Sequence, residues 1–401
     1  MSEVAYTPQL RFPEFHDNWN PTIFGKYVEK HKGGASLKPK DFVKKSTCEV
    51  IPKKAIQSGG LLALDEDNPT YCSEVFFGDN LRNVVDSSYL ITTLRDLVPS
   101  GPSIGYIVRN HISNPLILAQ GVYGFILKSG IDKEFLIQLS NRVDYRRLMQ
   151  KIMVGSTQVH IRTQDFFGIS LNLPTLSEQQ KIAAFLTAVD TKIEQLSKKQ
   201  ALLGEYKKGL MQQIFSQAIR FKADDGSEFP DWEEKKLGGV GRIRKGSQLN
   251  KSELTDTGDY PAINGGINPS GYTDKWNTGK NTITISEGGN SCGYINFITS
   301  KFWSGGHCYS IEELKGDVLN RFLFQYLKFN EHLIMRLRVG SGLPNIQKGE
   351  INNFKVNLPS LEEQTKIANL LSSIDSKIEQ VGKQLRESKQ FKKALLQQMF
   401  V

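Results

Sequence analysis

Two stretches of the chain carry apolar residues on alternating four- and three-residue steps. The first runs Ile182, Leu186, Val189, Ile193, Leu196, Leu203, Leu210 and Ile214. The second runs Ile367, Leu371, Ile374, Ile378, Val381, Leu385, Leu395 and Met399. Polar residues interrupt the rhythm at Gln200 and Lys207, and again at Ser388 and Lys392. Such spacing over several heptads predicts two long helices, each burying a narrow stripe against a partner helix. Thr175-Leu-Ser-Glu178 and Ser360-Leu-Glu-Glu363, each directly after a proline, have the form of a capping box and predict the helix starts. At 1.5 Å per residue each helix would be roughly 55–60 Å long. Two similar seams in one chain make an antiparallel pair within the molecule the simplest way to keep both stripes dry. A dimerisation coiled coil would show the same seam.

Elsewhere the apolar runs are short and lie between Gly, Asn and Asp. LLAL (61–64), SEVFFG (73–78), YLITTL (89–94), TITIS (282–286) and YSI (309–311) read as strands. Apolar spacing predicts helices over 132–153 and 317–337. The fold class expected is therefore α+β: two mixed bodies separated by two long helices.

The helical stretches belong to an internal repeat. LPTLSEQQKIA begins at Leu173 and LPSLEEQTKIA at Leu358, 185 residues on. The offset holds for KIEQ (192–195 and 377–380), for KKGLMQQIF (207–215) against KKALLQQMF (392–400), and backwards to VGS (154–156 and 339–341). A looser repeat leads into each copy, LRFPEFHDNW (10–19) and IRFKADDGSEFPDW (219–232). The bodies between, about 20–153 and 233–338, do not align and differ in length. One frame around two unlike bodies suggests one scaffold carrying two recognition elements. The domains expected are 1–173, 174–217, 218–358 and 359–401: body, helix, body, helix.

Composition narrows the partners. The 401 residues hold 51 Lys and Arg against 42 Asp and Glu, a formal charge of +9, which suits an anionic partner without requiring one. No apolar stretch reaches the ~18–20 residues of a membrane span, and the first residues lack the basic-then-apolar form of a secretory signal. A soluble cytoplasmic protein with no membrane partner is expected. Basic and amide side chains gather in predicted loops: Lys30, Lys32, Lys38 and Lys40 in the first body, and Arg242, Arg244, Lys245, Gln248, Asn264, Asn268, Tyr272 and Lys275 in the second. Arg and Lys suit guanine edges and phosphates, and Asn and Gln suit adenine edges. Arg146 and Arg147, and Arg338 with Ser341, fall at or near the ends of the two predicted body helices. There they would meet backbone phosphates or merely complement the helix dipole.

Catalytic signatures are missing from the sequence. There is no phosphate-binding P-loop, and no Pro-Pro pair of the kind in the Asp/Asn-Pro-Pro-Tyr/Phe motif of amino-methyltransferases. Cys48, Cys72, Cys292 and Cys308 form no C-x-x-C, so no metal site is expected. His307 and Cys308 are neighbours on a predicted strand, where adjacent side chains point to opposite faces and cannot cooperate. Glu233-Glu234-Lys235 resembles a nuclease Glu-x-Lys but lacks a clear acidic partner upstream.

The two LP-x-L-x-EQ-x-KIA segments, each opening a helix that ends in KK-x-L-x-QQ-x-F, resemble the repeated regions of type I restriction-modification specificity subunits (HsdS). The lead-ins and VGS stretches are similar to that family too. The resemblance implies two target-recognition domains, each reading half of a bipartite double-stranded DNA site. It implies that the helices set the spacer and dock two methylating subunits, with Ile182, Leu186, Val189, Ile193, Ile367, Leu371, Ile374 and Ile378 at the seam and docking region. It places adenine methylation, restriction and the cofactors S-adenosylmethionine, ATP and Mg on partner subunits, with no catalytic residue and no cofactor on this chain. A coiled-coil scaffold without DNA and a self-sufficient DNA-modifying enzyme stand as alternatives.

Overall fold

The computed structural model describes residues 7–340, 342 and 344–401. Ser341 lies outside them. Contacts divide the chain into two compact units, Met1–Ser197 with Lys383–Val401, and Lys198–Gly382. The division therefore cuts through both long helices rather than at their ends. Each unit owns one body and part of each helix.

The helices span Leu176–Phe215 and Leu361–Gln398. In the first unit Ile182 and Leu186 share a core with Leu395 and Met399. In the second, Ile367 and Leu371 share one with Met211 and Ile214. The interruptions in the seam are partly filled by charge. Lys392 reaches Asp190 at 2.6 Å, and Lys207 reaches Asp375 at 2.7 Å. Within each unit a later position on one helix thus meets an earlier position on the other, so the paired stretches run antiparallel. Ile374 is also buried, while Val189, Ile193 and Ile378 are half-buried. Five of these eight seam residues are thus buried between the helices of their unit, and the other three keep part of their surface exposed.

Only half of each capping box forms. The Glu178 and Glu363 backbone N–H groups donate to Thr175 Oγ1 (3.4 Å) and Ser360 Oγ (3.3 Å). The carboxylates do not return to the cap. Glu178, 1% exposed, accepts two bonds from Arg11 and lies 3.4 Å from Trp19 Nε1. Glu363, 0% exposed, accepts from Arg220 and from Trp232 Nε1 at 3.2 Å. A buried carboxylate needs a charged partner more than a second cap bond. This explains the repeated lead-ins: each supplies the Arg and Trp that anchor it to its helix.

The next residue fixes the body. Gln179 Oε1 accepts from Asp132 N, and Gln364 Oε1 accepts from Leu319 N, both at 2.8 Å. These bonds hold the start of one body helix in each unit, Lys133–Ser140 and Asn320–Phe329. Gln138 and Gln325 on those helices then donate to Asp190 and Asp375, each at 2.8 Å.

The bodies share a sheet that their sequences hide. In the first unit four antiparallel strands lie in the order Val28–Gly33, Val122–Leu127, Leu90–Thr93, Ile107–Arg109. In the second the order is Arg242–Lys245, Cys308–Glu312, Thr282–Ser286, Ile295–Ile298. Each order has the same sequence logic: first strand, last strand, then the two between. Beside each sheet lies a three-stranded one built on a parallel pair, Val50–Ile51 with Leu116–Leu118, and Tyr260–Ile263 with Trp303–Ser304. The third strand joins opposite members of that pair in the two units, so the resemblance stops there.

Four local expectations are corrected. SEVFFG is not a strand but a helix, Glu74–Asp79, because the Ser73 hydroxyl caps it by accepting from Phe76 N at 3.2 Å. LLAL forms only isolated bridges. The helix expected over 132–153 is two, Lys133–Ser140 and Val143–Ile152. Ser140 Oγ and Asn141 Nδ2 both donate to Ile137 O, ending the first helix by competing with its backbone. The helix expected over 317–337 likewise divides into Asn320–Phe329 and Glu331–Met335.

Candidate nucleic-acid interface

The side chains singled out from sequence fall into four groups. Some are committed to the fold. The Arg146 guanidinium bonds to the carbonyls of Ile104 and Pro102 and lies 3.8 Å from the centre of the Tyr106 ring, so it ties a helix to a loop. Arg244 donates to Asn277 O, and Lys32 donates to Val84 O at 2.6 Å. Others sit exposed but paired with acids: Arg147 with Asp144, Arg242 with Glu313, and Lys275 with Glu253. Lys30, Lys38, Lys40, Gln248, Asn268, Tyr272 and Arg338 are exposed. Lys245 and Asn264, on separate strands' ends, meet at one cleft.

That cleft, about 460 Å³, opens at the end of the second unit's sheet. Its floor is Glu287, directly after strand Thr282–Ser286. Lys245 Nζ lies 2.5 Å from Glu287 Oε1, Tyr309 Oη lies 3.0 Å from the same oxygen, and His307 Nδ1 is 3.4 Å from Oε2. Burial alone would push the Glu287 carboxyl up. The Lys245 and Tyr309 hydrogen bonds and the nearby Lys245 charge outweigh it, and the group titrates below the usual glutamate range. Asn264, which lines the opening, accepts at Oδ1 from His307 N at 3.2 Å, which leaves its amide NH₂ outside that bond. Asn345 completes the rim. The product is an ionised acceptor ringed by donors, suited to hydrogen-bonding a polar planar edge.

The first unit has a cleft of about 360 Å³ at the corresponding end of its sheet. Arg95, Gln120, His160 and Arg162 edge it. Arg95 and His160 face each other across an antiparallel pair. Next to Arg95, buried Asp96 accepts from Ser103 Oγ at 2.6 Å and from the Val98 and Ser103 N–H groups. Burial would raise its pKa, but the Ser103 hydroxyl and the backbone donors together hold it below the ordinary aspartate value. This cleft presents donors where the other presents an acceptor.

Sequence reading missed Glu287, Asn345, Arg95, Gln120 and His160 as members of a site. Each stands on a different loop or strand end, and no local motif links them. In sequence His307 stands out only as the neighbour of Cys308. Cys308 is buried, which pushes its thiol up to about 11, while the exposed His307 faces Glu287 instead. The expected separation of the two side chains holds. Glu233 and Lys235 lie on an exposed strand where Lys235 pairs with Asp317. Among the described residues no cluster of His, Cys, Asp and Glu is arranged to hold a metal, and no helix is long and apolar enough to cross a membrane.

The family model of the type I restriction modification DNA specificity domain matches the chain twice, over residues 32–203 and 230–387. A putative type I specificity subunit of Mycoplasma pneumoniae is 31% identical over 172 residues, covering 42% of this chain and 46% of the relative. One from Mycoplasma genitalium is 32% identical over 38% of this chain and 40% of the relative. The chain thus matches less than half the length of these two. A putative MjaX specificity subunit of Methanocaldococcus jannaschii is 28% identical over 73% of this chain and 77% of its own length. The crystal structure of a type I restriction-modification S subunit from M. genitalium superposes with a TM-score of 0.68 at 19% identity, covering 98% of this chain and 99% of that one, which shows a shared fold. With the specificity-domain model matching once around each body, the chain belongs to the type I restriction modification DNA specificity family.

Proposed function

We propose that this chain is the DNA sequence-specificity subunit of a type I restriction-modification complex. Each unit reads one half of a bipartite double-stranded site. The antiparallel helices fix the spacer between halves and provide equivalent places for two methylating subunits. Those partners use S-adenosylmethionine to methylate adenine, and restriction subunits use ATP and Mg to translocate and cut. The observation that carries the reading is the paired match to a DNA specificity domain on a duplicated frame whose two clefts differ in chemistry. The absence of catalytic motifs in the sequence fits a chain that directs chemistry performed by others.

Methylome sequencing of cells with and without this chain tests it. The expected result is loss of one methylated motif made of two short halves with an unread gap. Retention of every methylated motif after its removal overturns the proposal.

A further inference from the structure

The two clefts are the same place in two copies of one frame. Sheet register aligns them although the two body sequences do not align along the chain. Ser286 pairs with Cys308 as Thr93 pairs with Val122, and Lys245 pairs with Tyr309 as Gly33 pairs with Tyr123. Glu287 therefore corresponds to Leu94, His307 to Gly121, and Lys245 to Gly33. A further bridge, Gly288 with Asn345, matches Arg95 with His160. The frame repeats at its tightest point. A Cβ on Gly34 would lie 1.8 Å from Ala119 O, and one on Gly246, its counterpart, 2.3 Å from Ser304 O. Tyr123 and Tyr309 also correspond.

What does not repeat is the chemistry at the rim. Glutamate stands against leucine, glycine against arginine, histidine against glycine and asparagine against histidine. A constant backbone cradle with wholly exchanged polar groups is what two readers of unlike sequences need. An ion pair with a purely structural role would need no concavity, and neither copy would have to keep one.

We propose, resting on the reading of the chain as a DNA specificity subunit, that these paired clefts hold base edges and that their rim residues determine the two half-sites. In the second unit Glu287 accepts from an exocyclic amino group, cytosine N4 or adenine N6, with Lys245 and Asn264 as flanking donors. In the first, Arg95 and Arg162 donate to guanine O6 and N7. Arg146, Arg244 and Lys32, already bonded to backbone carbonyls, take no part in base reading.

The test selects bound duplexes from a randomised DNA pool with the full chain, in complex with its methylating subunits, and sequences them. The wild type is compared with Glu287→Gln, with Lys245→Gln/Glu287→Gln, and with Arg95→Gln. The amide keeps the shape and the carbonyl oxygen of the carboxylate, and the double variant leaves no unpaired charge. Thermal melts within a few degrees of wild type establish that each variant is folded. The expected result is a loss of about tenfold or more in discrimination at a base position of one half-site, with the other half unchanged. Glu287 and Arg95 variants should affect opposite halves. If folded variants keep both half-sites as in the wild type, or lose affinity for all sequences alike, the clefts do not read bases. If the wild-type complex itself selects no motif, the failure belongs to the proposed function instead.

Discussion

At the residue scale, the most consequential side chains are two buried glutamates. Glu178 and Glu363 open the long helices, yet their partners, Arg11 with Trp19 and Arg220 with Trp232, arrive from lead-ins more than a hundred residues away. Removing one partner of a buried pair leaves a charge without compensation. Arg220→Ala is therefore expected to destabilise the second unit by about 3–5 kcal/mol in denaturant melts. An unchanged midpoint would show that Trp232 alone satisfies the carboxylate. A second residue sets a pH limit. Against the upward push of burial, the Ser103 hydroxyl and backbone donors hold the folded pKa of Asp96 below 3.8. A depressed carboxylate contributes stability that is present above its unfolded pKa and lost as pH falls through the folded value. Wild type should thus lose stability on acidification below about pH 4 more steeply than Asp96→Asn. Parallel curves from about pH 7 to pH 3 would contradict this. Repetition made the glutamates legible in sequence, but their partners were not, because the capping-box pattern points to a local bond while the actual bond is long-range.

At the element scale, the seams were legible because a heptad rhythm is local and needs no knowledge of the rest of the fold. The lysines that broke the rhythm, Lys207 and Lys392, carry the cross-helix pairs with Asp375 and Asp190. These pairs are partly exposed, so their coupling should be modest. A double-mutant cycle on Lys207→Met and Asp375→Asn is expected to return about 1 kcal/mol, and a value indistinguishable from zero would make the pair incidental. Strand ends are stricter. The Cβ introduced by Gly34→Ala would strike the Ala119 carbonyl, a backbone atom that cannot swing away. The change should destabilise the first unit by about 1–3 kcal/mol. A melt matching wild type would show that the strand end can shift freely. The misread segment at 73–78 shows the opposite situation. Its apolar run was ambiguous, and a single serine cap decided for helix.

At the scale of the whole molecule, the chain has a cyclic plan. Ile219 N donates to Gln213 O at 3.3 Å where the first helix passes directly into the second lead-in. Leu10 N donates to Gln398 O at 2.8 Å, the same bond made between the first lead-in and the end of the second helix, where the chain is not continuous. Arg142 further ties down the last residue through Val401 O at 2.6 Å. Joining the chain ends through a short flexible linker and opening new ones between Ser216 and Ala218 should therefore give a folded protein with unchanged half-site preference. Loss of cooperative unfolding in that permuted chain would mean the two junctions are not equivalent.

The sequence by itself determined the duplication, the positions and approximate ends of the long helices, and the family. All three rest on periodic or repeated residues that can be compared position by position along the chain. Tertiary structure decided which side chains share a cleft. Lys245, Asn264, Glu287, His307 and Asn345 meet only because strand register folds about a hundred residues of chain into one sheet edge, and nothing in their spacing encodes that register. Only the structure, for the same reason, showed that bodies whose sequences do not align along the chain keep one backbone frame. Hydrogen bonding between strands constrains the main chain and leaves the side chains at its ends free to differ.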